Sequence, residues 1–87
     1  MKISVWDTYV TREDGKIMHF DILVPSKMKD TFMLKAYGEQ YLSSKDFSTT
    51  GFSMAQCNFC HHEISNDKIE AIILERGFSI IEMENCN

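Results

Sequence analysis

The chain has 87 residues, 44% of them apolar and 25% charged, with a net charge of -4 at pH 7. This length holds one small domain with a limited core, and the apolar share excludes wholesale disorder. The nine Lys and Arg residues are scattered, which excludes the concentrated basic face that nucleic-acid binding needs, and no apolar run approaches the ~20 residues that span a bilayer.

Residues 3–11 and 17–24 are rich in β-branched and aromatic side chains and read as two strands. Residues 12–16 between them carry an Asp14-Gly15 turn signal, with Gly15 free to take positive φ, so residues 3–24 are predicted to form a hairpin. Alternation sends Met18, Phe20, Ile22 and Val24 to one face, and His19, Asp21 and Leu23 to the other. Two registers fit the first strand. A two-residue Asp14-Gly15 loop puts Ile3, Val5, Asp7 and Tyr9 on the Phe20 face. A three-residue loop with Gly15 at a bulge puts Asp7 and Tyr9 beside His19 and Asp21 instead. The second register gathers an acid/base or metal constellation in which a carboxylate orients His19. Otherwise His19 and Asp21 are solvated residues on an outer face.

Residues 30–44 read as a helix capped by Asp30 or Ser26, with Met33, Leu34, Tyr37 and Tyr41 as its inner stripe and Lys35–Glu39 as an outer pair. Residues 45–53 have turn composition, and Ser53-Met54-Ala55-Gln56 has the form of a capping box leading through a short helical turn into Cys57. Ser65 or Asn66 caps a second helix that runs to about Arg76, with Ile69, Ile72 and Ile73 inward and Gly77 as its stop. Residues 78–83 form a last strand, and residues 84–87 are loose unless Cys86 is tied down. The fold class expected is a single-domain α+β: a mainly antiparallel sheet of the N-terminal hairpin plus the C-terminal strand, packed with two helices on one face.

The stretch CNFCHHE, residues 57–63, places five side chains able to bind metal in seven positions. Cys57-x-x-Cys60 has the spacing of one zinc knuckle, in which a tight turn aims both sulfurs at one ion. His61 or His62 supplies a third ligand. Cys86 is the preferred fourth, with His19 and Glu63 as further candidates, and Zn²⁺ is the cofactor this reading implies. A redox dithiol needs Cys57 at a helix N-terminus, and the position after a loop opposes that. Cys-x-x-Cys-His also satisfies the haem-attachment pattern, which belongs to exported chains. The remaining reading makes Cys57 and Cys60 small buried hydrophobes flanking Phe59.

Three cysteines, an odd number, do not suit a disulfide framework, and residues 1–7 lack a long apolar stretch; the expectation is a cytoplasmic protein with reduced thiols. No phosphate-loop, dinucleotide, nucleophile-elbow or zinc-protease motif occurs. No catalytic residue can therefore be assigned, and whether the protein is an enzyme stays open. The function read here is a binding or interaction module with a structural zinc at the Cys-x-x-Cys-His-His segment. The alternative is a small thiol-redox or metal-dependent enzyme using Cys57, Cys60 and a neighbouring histidine. A protein partner or a second copy of the chain is left open; nucleic acid and membranes are not expected partners.

Taken together, VWDTYVTREDGKIMHFDILVP near the start, CNFCHHE in the middle and ERGFSIIEMENC at the end resemble the DUF2024 family, a group of small bacterial proteins of unknown function. The likeness runs from Met1 to Cys86 and is looser over residues 27–52. It implies a compact bacterial α+β domain and neither an activity nor a catalytic residue.

Overall fold

The hairpin forms in the three-residue register. In the computed structural model, which describes residues 1–87, Arg12 N donates to Lys16 O at 2.8 Å and Gly15 N to Arg12 O at 3.0 Å. Gly15 takes φ +91°, a left-handed conformation open to glycine because it has no Cβ. Strands β1 (Lys2–Thr11) and β2 (Ile17–Pro25) then pair antiparallel with Asp7 opposite Asp21 and Tyr9 opposite His19.

Helix α1 (Thr31–Ser43) follows, then strand β3 (Cys57–Ile64), helix α2 (Asp67–Arg76) and strand β4 (Ser79–Glu84). The four strands form one antiparallel sheet in the order β3-β1-β2-β4. Asp30 caps α1, its carboxylate accepting from Phe32 N at 2.9 Å. Leu34 of α1 is buried against Val10, Met18, Phe20, Ile22 and Val24, with Tyr37 and Tyr41 packed beside it. Ser53 N donates to Gln56 Oε1 at 3.0 Å at the short 3₁₀ turn that leads into β3.

Asn66 caps α2 by accepting from Ile69 N at 2.8 Å, and Gly77, at φ +92°, ends it. A Cβ at Gly77 would stand 2.5 Å from the Tyr37 hydroxyl, so this glycine also permits the close approach of α1.

Two sequence expectations are corrected. The helices do not share a face: Ile69 and Ile73 of α2 pack against Ile3, Val5 and Leu23, on the side of the sheet opposite α1. The reason is parity. In this register Ile3, Val5 and Leu23 point away from the Phe20 face, and leaving them in water would forfeit about 1.5–3 kcal/mol for each side chain. Residues 57–64 are the second correction, being an edge strand rather than a knuckle turn. The C-terminal tail is held, since Arg12 Nη1 donates to the carbonyls of Asn85 at 3.2 Å and Asn87 at 2.6 Å, and Cys86 is buried.

Helix α2 covers the Ile3–Val5–Leu23 end of its face and leaves the Asp7–Tyr9–His19–Asp21 end open. Replacing Gly15 with alanine, which resists the left-handed conformation, is expected to lower the unfolding free energy by about 1–2 kcal/mol. A urea titration reads this directly; an unchanged midpoint would mean that side-chain packing alone holds the register.

Candidate metal centre

On the open end of the α2 face, period-two alternation along the paired strands β1 and β2 brings Asp7, His19 and Asp21 together. One ligand atom from each lies within 4.8 Å of the others. His19 Nε2 is 3.3 Å from Asp7 Oδ1 and 3.9 Å from Asp21 Oδ1. Tyr9 stacks on the His19 ring at 4.3 Å between centroids and 11° between planes, which fixes the orientation of the imidazole. Asp21 lies on an inner strand between Asp7 and Ile81, and its buried Oδ1 has no hydrogen-bond partner.

Strand β3 adds to this face through a bulge. Val5 pairs with His61 and Trp6 with Phe59, so Cys60 is the extra residue. The bulge sets the Cys60 thiol near Asp7 and puts His61 on the same side, with His61 Nδ1 3.2 Å from Cys60 Sγ. His61 Nε2 lies 3.6 Å from a carboxylate oxygen of Glu63.

The ligand set read from the sequence is not assembled. Cys57 is buried on the α1 face, where its sulfur accepts from the Thr8 hydroxyl at 3.4 Å. Cys60 and His61 are exposed on the opposite face. His62 returns to the α1 side, its Nδ1 3.2 Å from Ser4 Oγ. Cys86 is buried with its thiol against His19 O and Glu84 O, at 3.4 and 3.2 Å, on the β2–β4 side of the sheet, with β1 lying between β2 and β3. No three of Cys57, Cys60, His61, His62 and Cys86 bring their ligand atoms together. The physical reason is the strand itself: an extended chain points residues 57 and 60 to opposite sides, where a knuckle turn would converge them. A disulfide between them is also out of reach, since three residues of strand span roughly 9–10 Å against a limit of about 7 Å between Cα atoms.

The carboxylate pair holds its protons unequally. Burial, followed by the hydrogen bond and charge of Asp7, pushes the Asp21 carboxyl up to about 6. Asp7 is lowered, first by the hydrogen bond from Asp21, with His19 and Cys60 adding to it. In weak acid Asp21 therefore keeps a proton that it donates to Asp7. Neither thiol of the CNFC stretch is activated. Burial pushes Cys57 up. Cys60 is raised by desolvation against the sheet and, more in keeping with its exposed position, by the charges of Asp7 and Asp21.

The hairpin sequence alone contained the cluster as one of two registers. Nothing in the sequence marked the bulge that adds Cys60 and His61, because a bulge on β3 depends on its pairing with β1.

The sign of the Asp21 shift gives a stability test on the metal-free protein. The folded state binds this proton more tightly than the unfolded chain, so its contribution is complete below the unfolded value near 3.8 and is lost as pH rises through about 6. Asp7, shifted the other way, offsets part of this. Asp21→Asn, which keeps a donor toward Asp7 without a charge, should stabilise the protein by about 1–3 kcal/mol at pH 7. It should also flatten the fall of Tm between pH 4 and 6. Thermal unfolding across that range checks both, and a destabilised variant at pH 7 would contradict the repulsion.

Comparison with known proteins places the whole chain. The family model described as a domain of unknown function (DUF2024) matches residues 1–83. The chain is similar to the NMR structure of protein NE1680 from Nitrosomonas europaea, a structural genomics target. The two share 34% identity over 100% of each chain, with a TM-score of 0.80. No curated protein matches the chain. With the sheet order, both helices and nearly the full length accounted for, the protein belongs to the DUF2024 family.

Proposed function

We propose that this protein is a small metal-binding module that holds a Zn²⁺-class divalent ion through Asp7, His19 and Asp21. The observation that carries the reading is the spacing of the ligand atoms. Tetrahedral zinc with bonds of about 2.0–2.2 Å sets its ligands about 3.3–3.6 Å apart, and the His19 Nε2 distances to the two carboxylates are 3.3 and 3.9 Å. An imidazole with two carboxylates suits borderline divalent ions. The fourth position falls to the Cys60 thiol beside Asp7 or to solvent. Such an ion would neutralise the two carboxylates and pair the orphaned Asp21 Oδ1. The raised, separated thiols favour binding over thiol-redox chemistry, since neither is held as a thiolate and the two cannot pair.

Calorimetric titration of the reduced protein with Zn²⁺ tests the reading. One ion should bind, with protons released below pH 6. An excess of about 100 times Kd should add ~2.7 kcal/mol of stability, which is roughly 10 °C or more in Tm for a chain of this size. His19→Gln and Asp21→Asn should weaken binding by tenfold or more, on the scale of about 10–100-fold known for losing a supporting group alone. His62→Gln, on the other face, should bind normally. A protein with no saturable Zn²⁺ response, or one whose response survives both ligand variants, ends the proposal.

A further inference from the structure

We infer that the cleft on the α1 face of β1 and β3 binds a small ligand with a carboxylate on a flat, apolar body. The cleft is separate from the carboxylate–histidine cluster and lies on the other side of the sheet. It has a volume of about 270 Å³ and is lined by Ser4, Trp6, Lys29, Phe59 and His62, just below the roughly 300–1,000 Å³ usual for drug-sized ligands and so suited to a smaller one. The Cys60 bulge makes it. By shifting the register between Val5 and Trp6, it sets Phe59 opposite Trp6 and His62 opposite Ser4 on this face.

Its walls are aromatic. Phe59 meets Trp6 edge-on at 5.7 Å and 74°, and the His62 ring at 4.9 Å and 57°. Two of its polar groups, the Lys29 ammonium and the Trp6 indole N–H, can only donate. Lys29 carries a cation that joins none of the protein's ion pairs, and no carboxylate lines the cleft. Trp6 Nε1 is buried without an acceptor. An indole N–H can only donate, and buried donors are rarely left unpaired. His62 Nδ1 is engaged with Ser4 Oγ, which leaves Nε2 as the ring's free polar atom. A ligand fitting this set presents an acceptor with negative charge to Lys29 and the indole, and a flat apolar surface to the rings. One cation and an aromatic wall suit a singly charged carboxylate better than a phosphate, which calls for several donors and more positive charge.

Trp6 is the single tryptophan of the chain, so tryptophan signals report this one position in the cleft. Benzoate is the probe and benzamide its neutral counterpart. Benzoate should change tryptophan fluorescence saturably and move the single indole N–H resonance. Benzamide should bind about tenfold more weakly, and Lys29→Gln should weaken benzoate by about fivefold to tenfold, as loss of one charge-assisted contact predicts. Lys29 is exposed, so this variant keeps the fold. Asp21→Asn should leave benzoate binding unchanged. The inference is overturned if neither signal saturates up to about 10 mM benzoate. It is equally overturned if benzamide matches benzoate, if Lys29→Gln has no effect, or if Asp21→Asn abolishes the response.

Discussion

The structure depends on the parity of one strand, which passes through the three-residue turn at Gly15 and is decided by burial. With Gly15 left-handed at φ +91°, each odd-numbered residue of β1 faces the same side as the odd-numbered residues of β2. Shifting the hairpin by one residue would turn Asp7 into the main core beneath α1, where a carboxylate has no partner and its desolvation is prohibitive. In the observed register the core position belongs to Thr8, which is fully buried. Its hydroxyl can donate to Trp6 O at 3.2 Å or to Cys57 Sγ at 3.4 Å. The same parity sends Ile3, Val5 and Leu23 outward and so requires a second helix on the second face. Both cores and the cluster follow from one register.

The second organising feature is the bulge on the edge strand. A regular strand would alternate the CNFCHHE side chains strictly. The extra residue at Cys60 instead sets Cys60 and His61 on the Asp7 face of the sheet, and Phe59 and His62 beside Trp6 and Ser4. One short segment thus contributes to two chemically distinct surfaces, an oxygen- and nitrogen-rich patch and an aromatic cleft. Bulges commonly re-aim side chains in this way. The segment's richness in ligating residues therefore does not mean that they act on one ion.

The carboxylate cluster is a place where the fold tolerates tension. Asp7 and Asp21 stand directly opposite each other on neighbouring strands, an arrangement that repels when both are ionised. Burial of Asp21 Oδ1 adds a desolvation cost to that repulsion. The open end of the α2 face gives an ion access, and Tyr9 steadies His19. Sites that bind are often less stable than an inert replacement, and a cation is the natural relief for two carboxylates held beside an imidazole.

Local chemistry was enough to determine most of the elements from the sequence alone. The Asp-Gly turn, the Asp30 and Asn66 caps, the Gly77 stop and the alternation of β2 each act within a few residues of chain. Strand β3 was not legible, because Cys-Asn-Phe-Cys-His-His-Glu has neither alternation nor β-branched residues. It is extended because the outer edge of β1 offers unpaired hydrogen-bonding groups that the segment satisfies, a long-range cause. The hairpin register was narrowed to two by the turn and decided by burial, since only the packed core distinguishes Thr8 from Asp7 as an inward residue. The sequence likewise contained Asp7, His19 and Asp21 as a conditional patch, while its cysteine and histidine spacing pointed to a site that an extended backbone cannot close. Which ligating side chains converge was decided by tertiary structure alone, because convergence depends on strand parity and bulges, and those are properties of pairing between distant segments.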